Sequence, residues 1–122
     1  MVSINIVEIP SRNLERALAF YSRVFALELE ISEIDDQRMV FFPQVDPEGP
    51  AIALTEGDDY APSGEGLRLY LTVDDLESIL ARVVDAGGEI AAEIDVVEGW
   101  GRYAAFRDLE GSVIGITQPP VD

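Results

Sequence analysis

Apolar side chains recur at three- and four-residue intervals through Leu14, Ala17, Leu18, Tyr21 and Phe25. That spacing predicts an amphipathic helix over residues 14–25, with Ser11-Arg12-Asn13 offering polar caps ahead of it. Residues 2–9 instead alternate, with Ile4, Ile6 and Glu8 on one face and Val7 and Ile9 on the other, which predicts a strand closed by Pro10. Residues 27–34 alternate again, Asp35-Asp36 makes a turn, and residues 38–43 form a short strand containing Phe41 and Phe42. A strand ending at Thr55 completes a β-α-β-β-β order. Past it, residues 67–73 read as a strand and Asp74-Asp75 opens a helix, with Asp74 and Glu77 at capping-box spacing. That helix runs to Ala86 and stops at Gly87-Gly88. Strands over 89–97 and 102–107 flank a Gly99-Trp100-Gly101 loop, and a last strand ends before Pro119-Pro120. The second order is again β-α-β-β-β.

The repetition is also written in the residues. Asp108-Leu109-Glu110-Gly111-Ser112-Val113-Ile114-Gly115-Ile116-Thr117-Gln118 aligns without gaps on Asp46-Pro47-Glu48-Gly49-Pro50-Ala51-Ile52-Ala53-Leu54-Thr55-Glu56, 62 positions earlier. Leu14-Glu15-Arg16-Ala17-Leu18-Ala19 aligns on Leu76-Glu77-Ser78-Ile79-Leu80-Ala81 at the same offset. Two separate segments sharing one offset imply a duplicated unit. The expected organisation is one domain over residues 1–122: module one at 1–56, a Gly- and Asp-containing linker at 57–66, and module two at 67–118. A four-stranded sheet with one helix cannot cover both its faces, so the modules, or two chains, must pair and leave a cleft.

Charge narrows the partners. The 24 acids against 8 bases give a net charge of −16, which disfavours nucleic acid and anionic membranes. The acidity fits either general solubility or attraction of a cationic ligand. No apolar run has the length of a membrane span and no signal-peptide pattern opens the chain, so a cytoplasmic location is expected. The sequence has no Cys, which removes disulfide and thiol chemistry, and no His, which removes the usual base of a serine nucleophile.

The run 67–118, together with Val7-Glu8-Ile9-Pro10 and Ala19-Phe20-Tyr21, resembles the vicinal oxygen chelate superfamily. That superfamily takes in glyoxalase I, bleomycin-resistance proteins, fosfomycin-resistance enzymes and extradiol dioxygenases. The resemblance implies an α+β fold: two βαβββ modules forming a curved eight-stranded sheet around a cleft, in a chain that dimerises with itself. Metal-using members carry ligands at four strand positions, which fall here on Ile6, Ala53, Arg68 and Gly115. Three of these side chains have no donor atom and Arg offers only a fixed positive charge, so neither a metal nor another cofactor is expected.

The remaining chemistry lies with carboxylates, tyrosines and aromatic faces. Glu8 shares strand parity with Ile6, and Tyr70 with Arg68, so all four are placed on the cleft. Arg68 either holds a ligand anion or neutralises Glu8 or another acid across the sheet. Trp100 either closes over a flat ligand or covers a core edge. The binding set expected is Ile6, Glu8, Phe42, Ala53, Arg68, Tyr70, Trp100 and Gly115. The leading reading is a metal-free protein that sequesters a cationic or aromatic small molecule, working as a homodimer. Its alternative is a metal-independent lyase or isomerase with Glu8 or Tyr70 as acid/base. Whether any reaction is catalysed stays open at this point.

Overall fold

The protein is described by a computed structural model covering residues 2–120. Its elements run β1 (Ile6–Ser11), α1 (Leu14–Phe25), β2 (Ser32–Ile34), β3 (Gln37–Phe41) and β4 (Ala51–Glu56), then β5 (Leu69–Thr72), α2 (Leu76–Asp85), β6 (Glu89–Val97), β7 (Gly101–Arg107) and β8 (Val113–Gln118). The eight strands form two four-stranded mixed sheets, ordered β1-β4-β3-β2 and β5-β8-β7-β6. In each sheet the strand before the helix pairs in parallel with the last strand of its module. The helices pack on one another beneath the sheets.

Register explains where the elements depart from the sequence pattern. β1 starts at Ile6 because its parallel partner starts opposite, at Ala51. Pro10 does not close the strand: β1 is a sheet edge, where a missing N–H costs no ladder bond. The β2–β3 ladder begins only at Ser32↔Met39, so residues 27–31 alternate without a strand partner. Asn13, not Ser11, caps α1, its side chain accepting from the Arg16 amide at 3.1 Å. Asp75, not Asp74, caps α2, accepting from both the amide and the hydroxyl of Ser78 at 3.4 and 2.8 Å.

The duplication extends to the way each helix start is held. Leu14 N–H donates to Glu56 Oε2 at 3.0 Å, and Leu76 N–H donates to Gln118 Oε1 at 2.9 Å. An Arg braces each of these caps. Arg38 binds Glu56 at 2.7 Å and also Glu15 of α1, while Arg102 binds Gln118 at 2.9 Å and also Glu77 of α2. The last strand of each module thus fixes its own helix against the sheet.

The core lies between helices and sheets and is centred on Leu14, Tyr21, Val24, Leu54, Leu76, Val83, Phe106 and Ile116. Phe20, Tyr21, Phe25, Phe42 and Phe106 form an aromatic cluster with ring centroids 5.2 to 6.4 Å apart. One buried polar group crosses between modules. The Tyr21 hydroxyl donates to Asp108 Oδ2 at 2.8 Å, and Asp108 Oδ1 accepts the amides of Glu110 and Ser112. The Ser11 hydroxyl and Arg12 amide each donate to Glu110 at 2.6 Å. Among the described residues, no helix is long and apolar enough to cross a membrane.

Candidate binding clefts on the open sheet faces

With the helices on one side, alternate strand residues are left on the other. The cross-strand rows of module two are Tyr70–Gly115–Ala105 and Thr72–Thr117–Tyr103. The corresponding rows of module one are Glu8–Ala53–Phe41 and Pro10–Thr55–Met39. Glu8 and Tyr70 therefore stand at equivalent places, 62 positions apart.

Gly115 is needed for the Tyr70 pose. A Cβ on residue 115 would lie 2.2 Å from Tyr70 Cδ1 and 2.4 Å from Cε1, so the ring rests directly on the glycine backbone. Trp100 arrives from the β6–β7 turn, closed by Trp100 N–H donating to the Val97 carbonyl at 2.9 Å. Gly99 and Gly101 flank it at φ 84° and 105°, and a side chain at 101 would also strike the Gln118 carbonyl at 2.3 Å. Tyr70, Trp100 and Tyr103 converge with Val97 and Pro119 on a cup of about 710 Å³, whose other polar lining is Thr72, Thr117 and Arg102, the last paired with Glu77. That volume suits a drug-sized ligand. Among the described residues none covers these rings: Trp100 is 80% exposed and Tyr70 49%, an unusual cost for aromatics.

Module one presents a different surface. Thr55 donates to Glu8 Oε2 at 2.8 Å and Tyr60, from the linker, donates to Glu8 Oε1 at 2.9 Å. This bond to the carboxylate, helped by partial burial, raises the Tyr60 phenol above its usual pKa. Both oxygens of Glu8 are thus held in place. Ala53 is fully buried beneath this group, and Ile6 is 37% exposed beside it.

The eight expected residues therefore divide. Tyr70 and Trp100 line the module-two cup, and Gly115 lies beneath the Tyr70 ring. Ile6, Glu8 and Arg68 line a separate groove of about 520 Å³ between β1 and β5, with Ala53 beneath the Glu8 face. Arg68 makes no ion pair among the described residues, so the neutralisation of Glu8 by Arg68 is not observed. Phe42 stands apart from both groups: it packs on Tyr21 and Phe25 on the helix side and lines a third cleft. Phe41 takes the open-face row with Ala53 and Glu8. Phe106, which pairs with Ile114 as Phe42 bonds to Ile52, is the fully buried counterpart that marks this parity. The sequence reading missed Tyr60, whose linker has no periodicity to reveal it.

The four positions that would hold a metal do not fit one. Ile6, Ala53 and Gly115 have no donor atom, the Tyr70 ring covers Gly115, and Arg68 repels a cation. Among the described residues no three acids group as a metal site elsewhere.

Paired βαβββ modules, each a four-stranded sheet with one helix, define the fold class. A family model for the glyoxalase/bleomycin resistance protein/dioxygenase superfamily matches residues 3–116, and the chain belongs to that superfamily. A comparison with curated proteins finds no match. Among solved structures, the chain is similar to a glyoxylase/bleomycin resistance protein/dioxygenase domain from Frankia sp. EAN1pec, at 19% identity and TM-score 0.72, covering 98% of this chain and 99% of that one. It is similar at 28% identity and TM-score 0.69, with 98% of each chain covered, to TnmS3, an antibiotic binding protein from Streptomyces sp. CB03234. The fosfomycin resistance protein FosX from Listeria monocytogenes shares the fold at 18% identity and TM-score 0.70, covering 99% of this chain and 96% of that one.

Proposed function

We propose that this chain is a metal-free binding protein that sequesters a flat aromatic or cationic small molecule on the Tyr70–Trp100–Tyr103 cup. The convergence of three aromatic rings on an apolar cleft of about 710 Å³ carries this reading. Stacking between rings needs shape and little else, and a cation over an aromatic face gains further attraction, reinforced at long range by the −16 net charge. The likeness to an antibiotic binding protein supports the same reading. The cup is open on the side facing solvent, and the Glu8 face of a second copy is the surface proposed to close it in a homodimer.

The second reading, a metal-independent lyase or isomerase, draws on Glu8, a carboxylate oriented by Thr55 and Tyr60. Tyr70 is less suited to acid/base work, since its ring is committed to the Gly115 floor. A Glu8→Gln variant separates the two readings. Under the binding reading it keeps ligand affinity within about threefold, because glutamine still accepts a hydroxyl bond. Under the catalytic reading it loses turnover of a hemithioacetal or epoxide substrate by about a hundredfold or more. Metal analysis with thermal shifts on adding Ni, Zn, Mn or Fe tests the metal-free claim: no bound metal and no shift are expected, and stoichiometric metal would overturn it.

A further inference from the structure

The two halves carry one turn in duplicate, and only the second copy is seated. Asp108 and Glu110 are held by the Tyr21 hydroxyl, the Ser11 hydroxyl and the Arg12 amide, and the space left there is about 10 Å³. At the offset of 62, the residues that should receive Asp46 and Glu48 are Val83, Val73 and Asp74. Two valines replace the two hydroxyl donors, and Asp74 stands where Arg12 offers its backbone amide. Asp46 keeps only bonds inside its own turn, its Oδ1 accepting the Glu48 amide at 3.0 Å and its carbonyl the Gly49 amide at 2.9 Å, while Val45 is fully exposed.

Where the second copy closes, the first leaves a cleft of about 780 Å³, walled by Phe25, Phe42, Ile52, Leu71, Val73 and Ile79. Its charged lining is Asp74, Asp75 and Arg82. Asp75 is committed to capping α2, and Arg82 donates to the Val24 carbonyl at 3.4 Å. Among the described residues Asp74 has neither a hydrogen bond nor an ion pair. What this half lacks, relative to its twin, is the pair of hydroxyl donors, and what it has instead is a carboxylate without a partner beside apolar walls.

We infer that this cleft is a second ligand site, taking an apolar organic ammonium ion whose charge meets Asp74 and whose hydrocarbon body lies on Phe42, Leu71 and Ile79. The apolar walls take the hydrocarbon body out of water, and Asp74, itself exposed, adds the preference for a cation. The site is separate from the aromatic cup, sharing only Thr72 with it.

The test is a titration with naphthylmethylammonium, followed by backbone amide shifts, in the wild type and in Asp74→Asn. Saturable shifts at Val45, Leu71, Val73 and Ile79 are expected, with affinity falling about threefold or more in the variant. Naphthylacetate, of the same shape and opposite charge, is expected not to bind there. Asp74 bonds to nothing among the described residues, so the variant should keep the wild-type unfolding temperature. Shifts confined to Tyr70, Trp100 and Tyr103, equal affinity in Asp74→Asn, or equal binding of the anion would each overturn the inference. The first of these outcomes would leave the proposal for the aromatic cup standing.

Discussion

At the scale of single residues, two positions carry more than their size suggests. Gly115→Ala places a methyl group inside the Tyr70 ring, so the ring must leave its floor. The expected cost is about 1–3 kcal/mol of stability, with loss of cup binding. Adding Tyr70→Ala should restore most of the stability and none of the binding, a coupling that a double-mutant cycle of denaturant melts would read. Tyr21→Phe strands a lone pair of Asp108 in the core and should cost about 1–3 kcal/mol. Burial raises the Asp108 carboxyl above its usual value, while the Tyr21 hydroxyl and two amides pull it down. A folded pKa above the unfolded one means the charged form is penalised at neutral pH, and the penalty fades as pH falls through the folded pKa. Losing Tyr21's bond enlarges that penalty. The Tyr21→Phe deficit is therefore expected to be greatest near neutrality and to shrink in acid, and urea melts across the acid range would show it.

At the scale of elements, the organising device is the repeated cap: the last strand's Glu56 or Gln118 holds the helix start, and Arg38 or Arg102 braces it. The Arg102 guanidinium, hydrogen-bonded to Glu77, holds that carboxyl down to about 2 from 4.5. The stabilisation it gives is present above about pH 4.5 and is lost as pH falls toward about 2. Glu77→Gln should accordingly lower the denaturation midpoint at neutral pH and match the wild type near pH 2; a gap independent of pH would contradict this. The first helix was legible in the sequence to its last residue because a 3.6-residue stripe is a local signal, and the strand faces of Ile6, Glu8 and Tyr70 followed from parity. Strand ends were not, since Ile6 and Ser32 begin their strands only where a partner begins. Which of Phe41 and Phe42 takes the open face was not legible for the same reason: two adjacent aromatics give no parity until the β3–β4 register is known. Tyr60 reaches Glu8 from a linker without periodicity, which only the folded chain reveals.

At the scale of the whole molecule, duplication produced two sheet faces and two inter-module crevices that then diverged. One face became an aromatic cup and the other a pinned carboxylate; one crevice closed on Asp108 while the other stayed open. If a second copy's Glu8 face closes the cup as proposed, ligand affinity should depend on protein concentration below the dimer dissociation constant, which sedimentation and titration together would detect. The most direct measurement uses Trp100, the sole tryptophan, as reporter: its emission against a panel of planar aromatic and cationic antibiotics. The expected result is saturable quenching by at least one of them, weakened about tenfold or more in Tyr70→Ala and retained in Glu8→Gln. Emission unchanged across the panel, or quenching that Tyr70→Ala leaves intact, would contradict a ligand held on the aromatic cup.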